Sequence, residues 1–128
     1  MGILVVEHDL AVRHPLTEYL RECGYAVHEA VDTAEAVAIL TRHRDMITVV
    51  VCDVHSPGDM DGFAFARWLR EHAPEIQLAL AASPERVAKQ AADLCEDGPL
   101  LSKPYDHQIL LDRIKQMMAR RDRGNRVE

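Results

Sequence analysis

Short β-branched or apolar runs alternate along the chain with longer stretches whose apolar residues recur every three or four positions. The short runs are ILVVE (3–7), YAVHEA (25–30), MITVVVCD (46–53), IQLALAA (76–82) and PLLS (99–102). They read as strands, and the stretches between and after them as amphipathic helices. Leu16 and Leu20 mark the first helix, which Gly24 ends. Ala34, Val37 and Leu40 mark the second, and Phe63, Ala66 and Leu69 the third. Val87, Ala91 and Leu94 mark the fourth, and Ile109, Ile114 and Met117 the fifth.

Five strands, each followed by a helix, predict parallel pairing through right-handed crossovers, and so a doubly wound α/β sandwich. The third run is almost wholly apolar, as a strand buried on both faces requires, whereas YAVHEA alternates and suits an edge. Pro15 falls inside the first helical pattern, so the helix either begins near Val12 or bends there. Ser83 before Pro84 fits an N-cap followed by a first-turn proline. No linker or repeat interrupts the pattern. The reading is one domain over 1–121 with a short polar tail over 122–128.

The chain has 128 residues, 48% of them hydrophobic, enough for a core without metal or disulfide staples. A formal net charge of −6 argues against nucleic acid as the main partner. The basic C-terminal stretch (Arg113, Lys115, Arg120, Arg121, Arg123, Arg126) reads as a solvated helix end. Cys23, Cys52 and Cys95 show neither a CxxC pair nor zinc spacing, and read as buried thiols in a reducing compartment. No signal-peptide pattern or membrane-length apolar run occurs, so a cytoplasmic location with no membrane contact is expected.

Sites in open parallel sheets form beyond the carboxyl ends of the strands. The first strand delivers Glu7, His8 and Asp9 there, the third Asp53, the fourth Ala82 and Ser83, and the fifth Lys103 followed by Pro104. Acids with one lysine opposite suit a divalent cation and a phosphoryl group. In order and spacing, ILVVEHD, VVVCDVHSPGDMDG and LLSKPYD resemble the signature stretches of the response-regulator receiver domain, over essentially the whole chain.

The resemblance implies a flavodoxin-like (βα)5 fold with strand order 2-1-3-4-5. It implies that Asp53 accepts a phosphoryl group from a histidine kinase or histidine phosphotransfer protein, that Lys103 contacts that group, and that the Pro104 peptide is cis. A metal, magnesium in the family, would be held by Glu7, Asp53 and the His55 backbone carbonyl. Three positions depart from the pattern. His8 replaces an acid that ligates the metal, and imidazole is a poor magnesium ligand, so manganese, zinc or no metal become alternatives. Ala82 replaces the hydroxyl that senses the phosphoryl group, and Leu100 the aromatic residue that moves with it. Asp9 is either the missing ligand or a helix cap. A protonated His8 between carboxylates is a further candidate for the cation's role. Ser83 is the hydroxyl next to the lost sensor.

Two functions follow. One is a stand-alone phosphoaccepting receiver, not a turnover enzyme, signalling to an output protein through its fourth and fifth helices, as a monomer or homodimer. The other is a pseudo-receiver that docks independently of phosphorylation. A haloacid-dehalogenase-type hydrolase is disfavoured because His55 stands where a second acid is needed. A dinucleotide-binding domain is disfavoured because no Gly-rich turn follows the first strand.

Overall fold

The structure, a computed structural model, describes residues 2–96 and 106–124. Strands β1 (Gly2–Val6), β2 (Ala26–Ala30), β3 (Val49–Asp53) and β4 (Gln77–Ala81) form a parallel sheet in the order β2-β1-β3-β4. The helices are α1 (Leu10–Glu22), α2 (Thr33–His43), α3 (Gly62–His72), α4 (Pro84–Glu96) and α5 (His107–Gly124). This is the flavodoxin-like α/β architecture with four strands among the described residues. The expected fifth strand, 99–102, lies outside them, as do Leu100, Lys103 and Pro104.

Period-two alternation in the central strands sorts the core onto two faces. Ile3, Val5, Val49 and Val51 face α1, α4 and α5, whereas Leu4, Val6, Val50 and Cys52 face α2 and α3. β3 is buried along almost its whole length, and β2 forms an exposed edge, as the patterns predicted.

Local signals explain most helix ends. The Asp9 side chain accepts from the Ala11 N–H at 2.9 Å and caps α1, and Gly24, at φ +94°, follows its last turn. Asp32 and Asp61 cap α2 and α3. Ser83 accepts from the Arg86 N–H at 3.2 Å, with Pro84 opening α4. α1 starts at Leu10 and runs through Pro15, so the later start near Val12 does not occur. α5 continues to Gly124, three residues into the stretch read as tail.

Three expectations need correction. In α3 the buried residues are Phe65 and Leu69, while Phe63 is 58% exposed. The stripe turns because α3 meets β3 through Gly62. In α5, Leu110, Leu111 and Ile114 are buried while Ile109 is 50% exposed. Finally, Cys23 and Cys95 are not thiols but a disulfide, with Cα atoms 5.4 Å apart, joining the end of α1 to the last turn of α4. This pairing removes the cysteine-based ground for a reducing compartment. Cys52 is buried and free, as read.

The placement of α4 matters most. A right-handed return from β4 to a further strand beyond it would carry α4 over the α2/α3 face. Instead, Val87, Ala88, Ala91 and Cys95 pack on the α1 face. Leu78 and Leu80 on the opposite face stay half-buried beside α3, lining a groove of about 380 Å³ with Leu69, Arg70 and Pro74. α5 runs antiparallel to α1, because Arg113 pairs with Glu22 at the end of α1 and Arg121 with Asp9 at its start. It therefore enters from the end opposite the acids and runs toward them.

A Cβ at Gly62 would meet the Val54 Cα at 2.7 Å and the Asp53 carbonyl oxygen at 2.8 Å, both backbone atoms. Gly62→Ala should therefore destabilise the fold by about 1–3 kcal/mol in urea unfolding, with Gly124→Ala, which meets nothing within 4 Å, as the neutral comparison.

Candidate functional site

Asp53 closes β3 at the carboxyl edge of the sheet, and its Oδ1 accepts the His55 N–H at 3.0 Å. The turn that follows is held on both sides. The Val54 N–H donates to the Ala81 carbonyl at 3.1 Å, and the Gly62 N–H donates to the Val54 carbonyl at 3.1 Å. The Thr33 hydroxyl donates to the Met60 carbonyl at 2.5 Å, and the Ser56 hydroxyl accepts the Thr33 N–H at 3.2 Å. The Asp53 side chain thus sits on a strand end fixed from β4, α2 and α3.

Glu7, one residue past β1, is only 9% exposed. Its Oε2 accepts the Asp9 N–H at 2.9 Å, and Arg13 Nη1 donates to its carbonyl at 2.9 Å. Burial, reinforced by the Asp53 and Asp9 charges, pushes the Glu7 carboxyl up to about 7 against the opposing Asp9 N–H and Arg13. Asp9 shows the reverse balance. Desolvation raises it, but Arg121, the Ala11 N–H and His8 together hold it below its ordinary value. Burial, then Asp53, Glu7 and Asp61, push the Cys52 thiol up to about 12, so it is no nucleophile at neutral pH.

A pocket of about 180 Å³ gathers Glu7, Asp9, Asp53, His55, Ala82 and Ser83, floored by Val12 and Val87, with Met118 reaching in from α5. Six of the sequence-predicted residues therefore converge. His8 does not; it is exposed and does not line the pocket, and its carbonyl accepts from Arg13 at 3.5 Å. Asp9 is both helix cap and pocket wall. Among the described residues, no three His, Cys, Asp or Glu side chains converge as a metal-holding set.

Two cations escaped the sequence reading. Arg13 is one helical turn inside α1, a position the strand-end rule does not reach. Arg121 was read as part of a solvated helix end, yet it forms a charge-assisted pair with Asp9 from a position 112 residues away. Only the antiparallel course of α5 brings it there, and no local signal carries that information.

The sequence model of the response regulator receiver domain matches residues 3–115. The sensor kinase CckA of Brucella abortus is 33% identical, over 94% of this chain and 13% of the kinase. The aerobic respiration control protein ArcA of Escherichia coli is 31% identical, over 92% of this chain and 48% of that protein. The chain therefore spans less than half the length of either. Among solved structures, a chemotaxis response regulator of Vibrio cholerae superposes with a TM-score of 0.59 at 26% identity, covering 91% of this chain and 97% of the other. A receiver domain from Clostridium thermocellum has a TM-score of 0.60 at 22% identity, covering 94% and 96%, a likeness of fold alone. No helix among the described residues is long and apolar enough to cross a membrane.

The Glu7 carboxyl takes up its proton more readily in the folded chain (about 7) than at its ordinary value of 4.5. Its contribution to stability is therefore full below pH 4.5 and is lost as pH rises through 7, a change of about 3 kcal/mol. Glu7→Gln in chelator should flatten that fall and leave the variant more stable than wild type at pH 8, read by urea unfolding across pH. An unchanged slope would remove Glu7 as its source.

Proposed function

Because the chain belongs to the response regulator receiver domain family of two-component signalling, we propose that Asp53 is its phosphoacceptor. The observation that carries this reading is the Asp53 carboxylate itself. It ends a buried strand, lines a pocket with Glu7, and has Oδ1 held by the His55 N–H. The other oxygen, Oδ2, is left to attack phosphorus in line. Phosphoryl transfer from a phosphohistidine breaks the N–P bond and forms the Oδ–P bond, with the released imidazole taking up a proton. The protein's part is positional and electrostatic.

A divalent cation fits the donor set in part. Glu7 and Asp53 are hard oxygen donors in one pocket whose charges oppose each other, and the His55 carbonyl is the third oxygen of the reading. Bound there, magnesium or manganese would neutralise charge on the phosphoryl oxygens. His8 stands outside the pocket, and Asp9 is engaged by Arg121, so neither completes the set as it stands. Lys103 is the phosphate contact of the family pattern; the cations that the described residues bring to the acids are Arg13, beside Glu7, and Arg121, on Asp9.

Ala82 brings no hydroxyl to the pocket, and Ser83 does. Its Oγ already accepts the Arg86 N–H, which leaves its proton free to donate to a phosphoryl oxygen while the cap of α4 persists. On this reading α4 reports phosphorylation without the usual sensor, the signal passes to an output protein by contact, and the only turnover is hydrolysis of the protein's own acyl phosphate. The donor is a histidine kinase or phosphotransfer protein. The engagement of Asp9 by Arg121, which takes up one of the pocket acids, favours the second reading, a docking module independent of phosphorylation.

Intact-mass spectrometry with acetyl phosphate, in magnesium, manganese or chelator, separates the two. A metal-dependent single phosphoryl adduct that is absent from Asp53→Asn is the expected result. No adduct from the folded chain, either with acetyl phosphate or with phosphorylated donor protein, would leave the docking module. Lys103→Ala should slow adduct formation about tenfold or more if lysine serves the transferring group. Arg121→Ala should speed it if that arginine holds Asp9 away from the metal.

A further inference from the structure

α4 is held differently at its two ends. Its start is at the acid pocket, where Ser83 caps it and Val87 forms part of the wall. Its other end is fixed on α1 by the Cys23–Cys95 bond, and beside that bond the Tyr25 hydroxyl donates to the Leu94 carbonyl at 2.5 Å. Between the ends the buried face is Val87, Ala88, Ala91 and Ala92, mostly methyl groups. Such a face buries little apolar area per residue compared with the leucines and tyrosine of α1. Gln90 Nε2 donates to the Leu80 carbonyl at 2.8 Å, but its buried Oε1 has no partner among the described residues. The disulfide is thus the covalent restraint on a helix whose buried face is mostly alanine.

We propose that Cys23 and Cys95 form a redox-responsive tether that fixes the far end of α4 on α1, and so sets how firmly α4 closes the acid pocket. Both sulfurs are buried, at 0% and 1% exposure. Exchange therefore proceeds through opening of the last turn of α4, where Asp93 and Glu96 are already exposed. A dithiol reductant attacks one sulfur as thiolate, forming a mixed disulfide and releasing the other cysteine. Its second thiol then resolves the mixed disulfide, leaving two protein thiols and one oxidised reductant. A low-molecular-weight disulfide runs the sequence in reverse. Cys52 takes no part, because it is buried on the opposite face of the sheet against α2 and α3.

The tether stands on the placement of α4 and not on phosphorylation of Asp53, so its test reads thiols and helix order. The full chain is treated with oxidised glutathione or with dithiothreitol, freed of reagent, denatured and alkylated. The oxidised sample should label once, at Cys52, and the reduced sample three times. Hydrogen exchange before denaturation should be about tenfold or more faster across residues 84–96 in the reduced chain, with α2 and α3 unchanged. Cys52→Ser should keep this response. Cys23→Ser, with two thiols left, should label twice and exchange like the reduced chain across residues 84–96 under both treatments, and if that variant does not fold, reduced wild type supplies the same comparison. Three labels in the glutathione-treated chain would overturn the proposal. So would equal exchange of α4 in the two states.

Discussion

Three carboxylates, on Glu7, Asp9 and Asp53, converge where the central strands of a dry sheet end, and the site is organised by how that charge is held. Each acid is treated differently. Glu7 is buried deeply enough to favour its proton, Asp9 is neutralised by Arg121 and used as a helix cap, and Asp53 has one oxygen oriented by a backbone N–H. Like charges this close in a low-dielectric edge do not all persist without a compensating group. Protonation, an arginine and an incoming cation are the three means available; the Arg121–Asp9 pair is the one present in the structure, and the burial of Glu7 favours its proton below about pH 7.

The arginine is available because α5 runs toward the acids. α1, α4 and α5 share one face of the sheet, with Leu16, Leu20, Leu110 and Ile114 at the centre of their contact. Putting three helices on this face leaves α2 and α3 alone on the other. It also accounts for the half-covered Leu78 and Leu80 beside α3. The same arrangement places the Cys23–Cys95 bond at the end of the molecule opposite the pocket.

The parts of this arrangement that could be read from the sequence are those fixed by neighbours along the chain. Asp53 follows from an apolar run ending in an acid. The caps at Ser83 and Asp9 follow from residue type and position. The buried character of β3 and the edge character of β2 follow from their alternation. GFAFARWLREH allows two apolar phases, Phe63 with Ala66 and Leu69 or Phe65 with Leu69. The phase depends on the backbone contact at Gly62, a tertiary matter. The ILL run at 109–111 is ambiguous for the same reason. Arg121 with Asp9 and Cys23 with Cys95 are farther still from legibility. Each joins residues brought together only by the course of a whole helix, across 112 and 72 positions.

Helices α1, α4 and α5 each connect the acid edge to the opposite end, and this makes the two ends of the molecule dependent on each other. α1 carries Asp9 at its start and Cys23 just past its end. α4 carries Val87 in the pocket wall and Cys95 at its close. α5 carries Arg113 against Glu22 and Arg121 against Asp9. Packed interiors resist continuous deformation and respond by small rigid displacements of whole elements. A group entering the pocket beside Ser83 would therefore act on α4 as a body, against a helix anchored at the other end. The coupling is reciprocal, because any change in free energy that the anchor imposes on the pocket-closed position of α4 is felt equally by whatever the pocket binds. Ala82 lines the pocket without a hydroxyl, and that rigid-body route is the one the described geometry supplies.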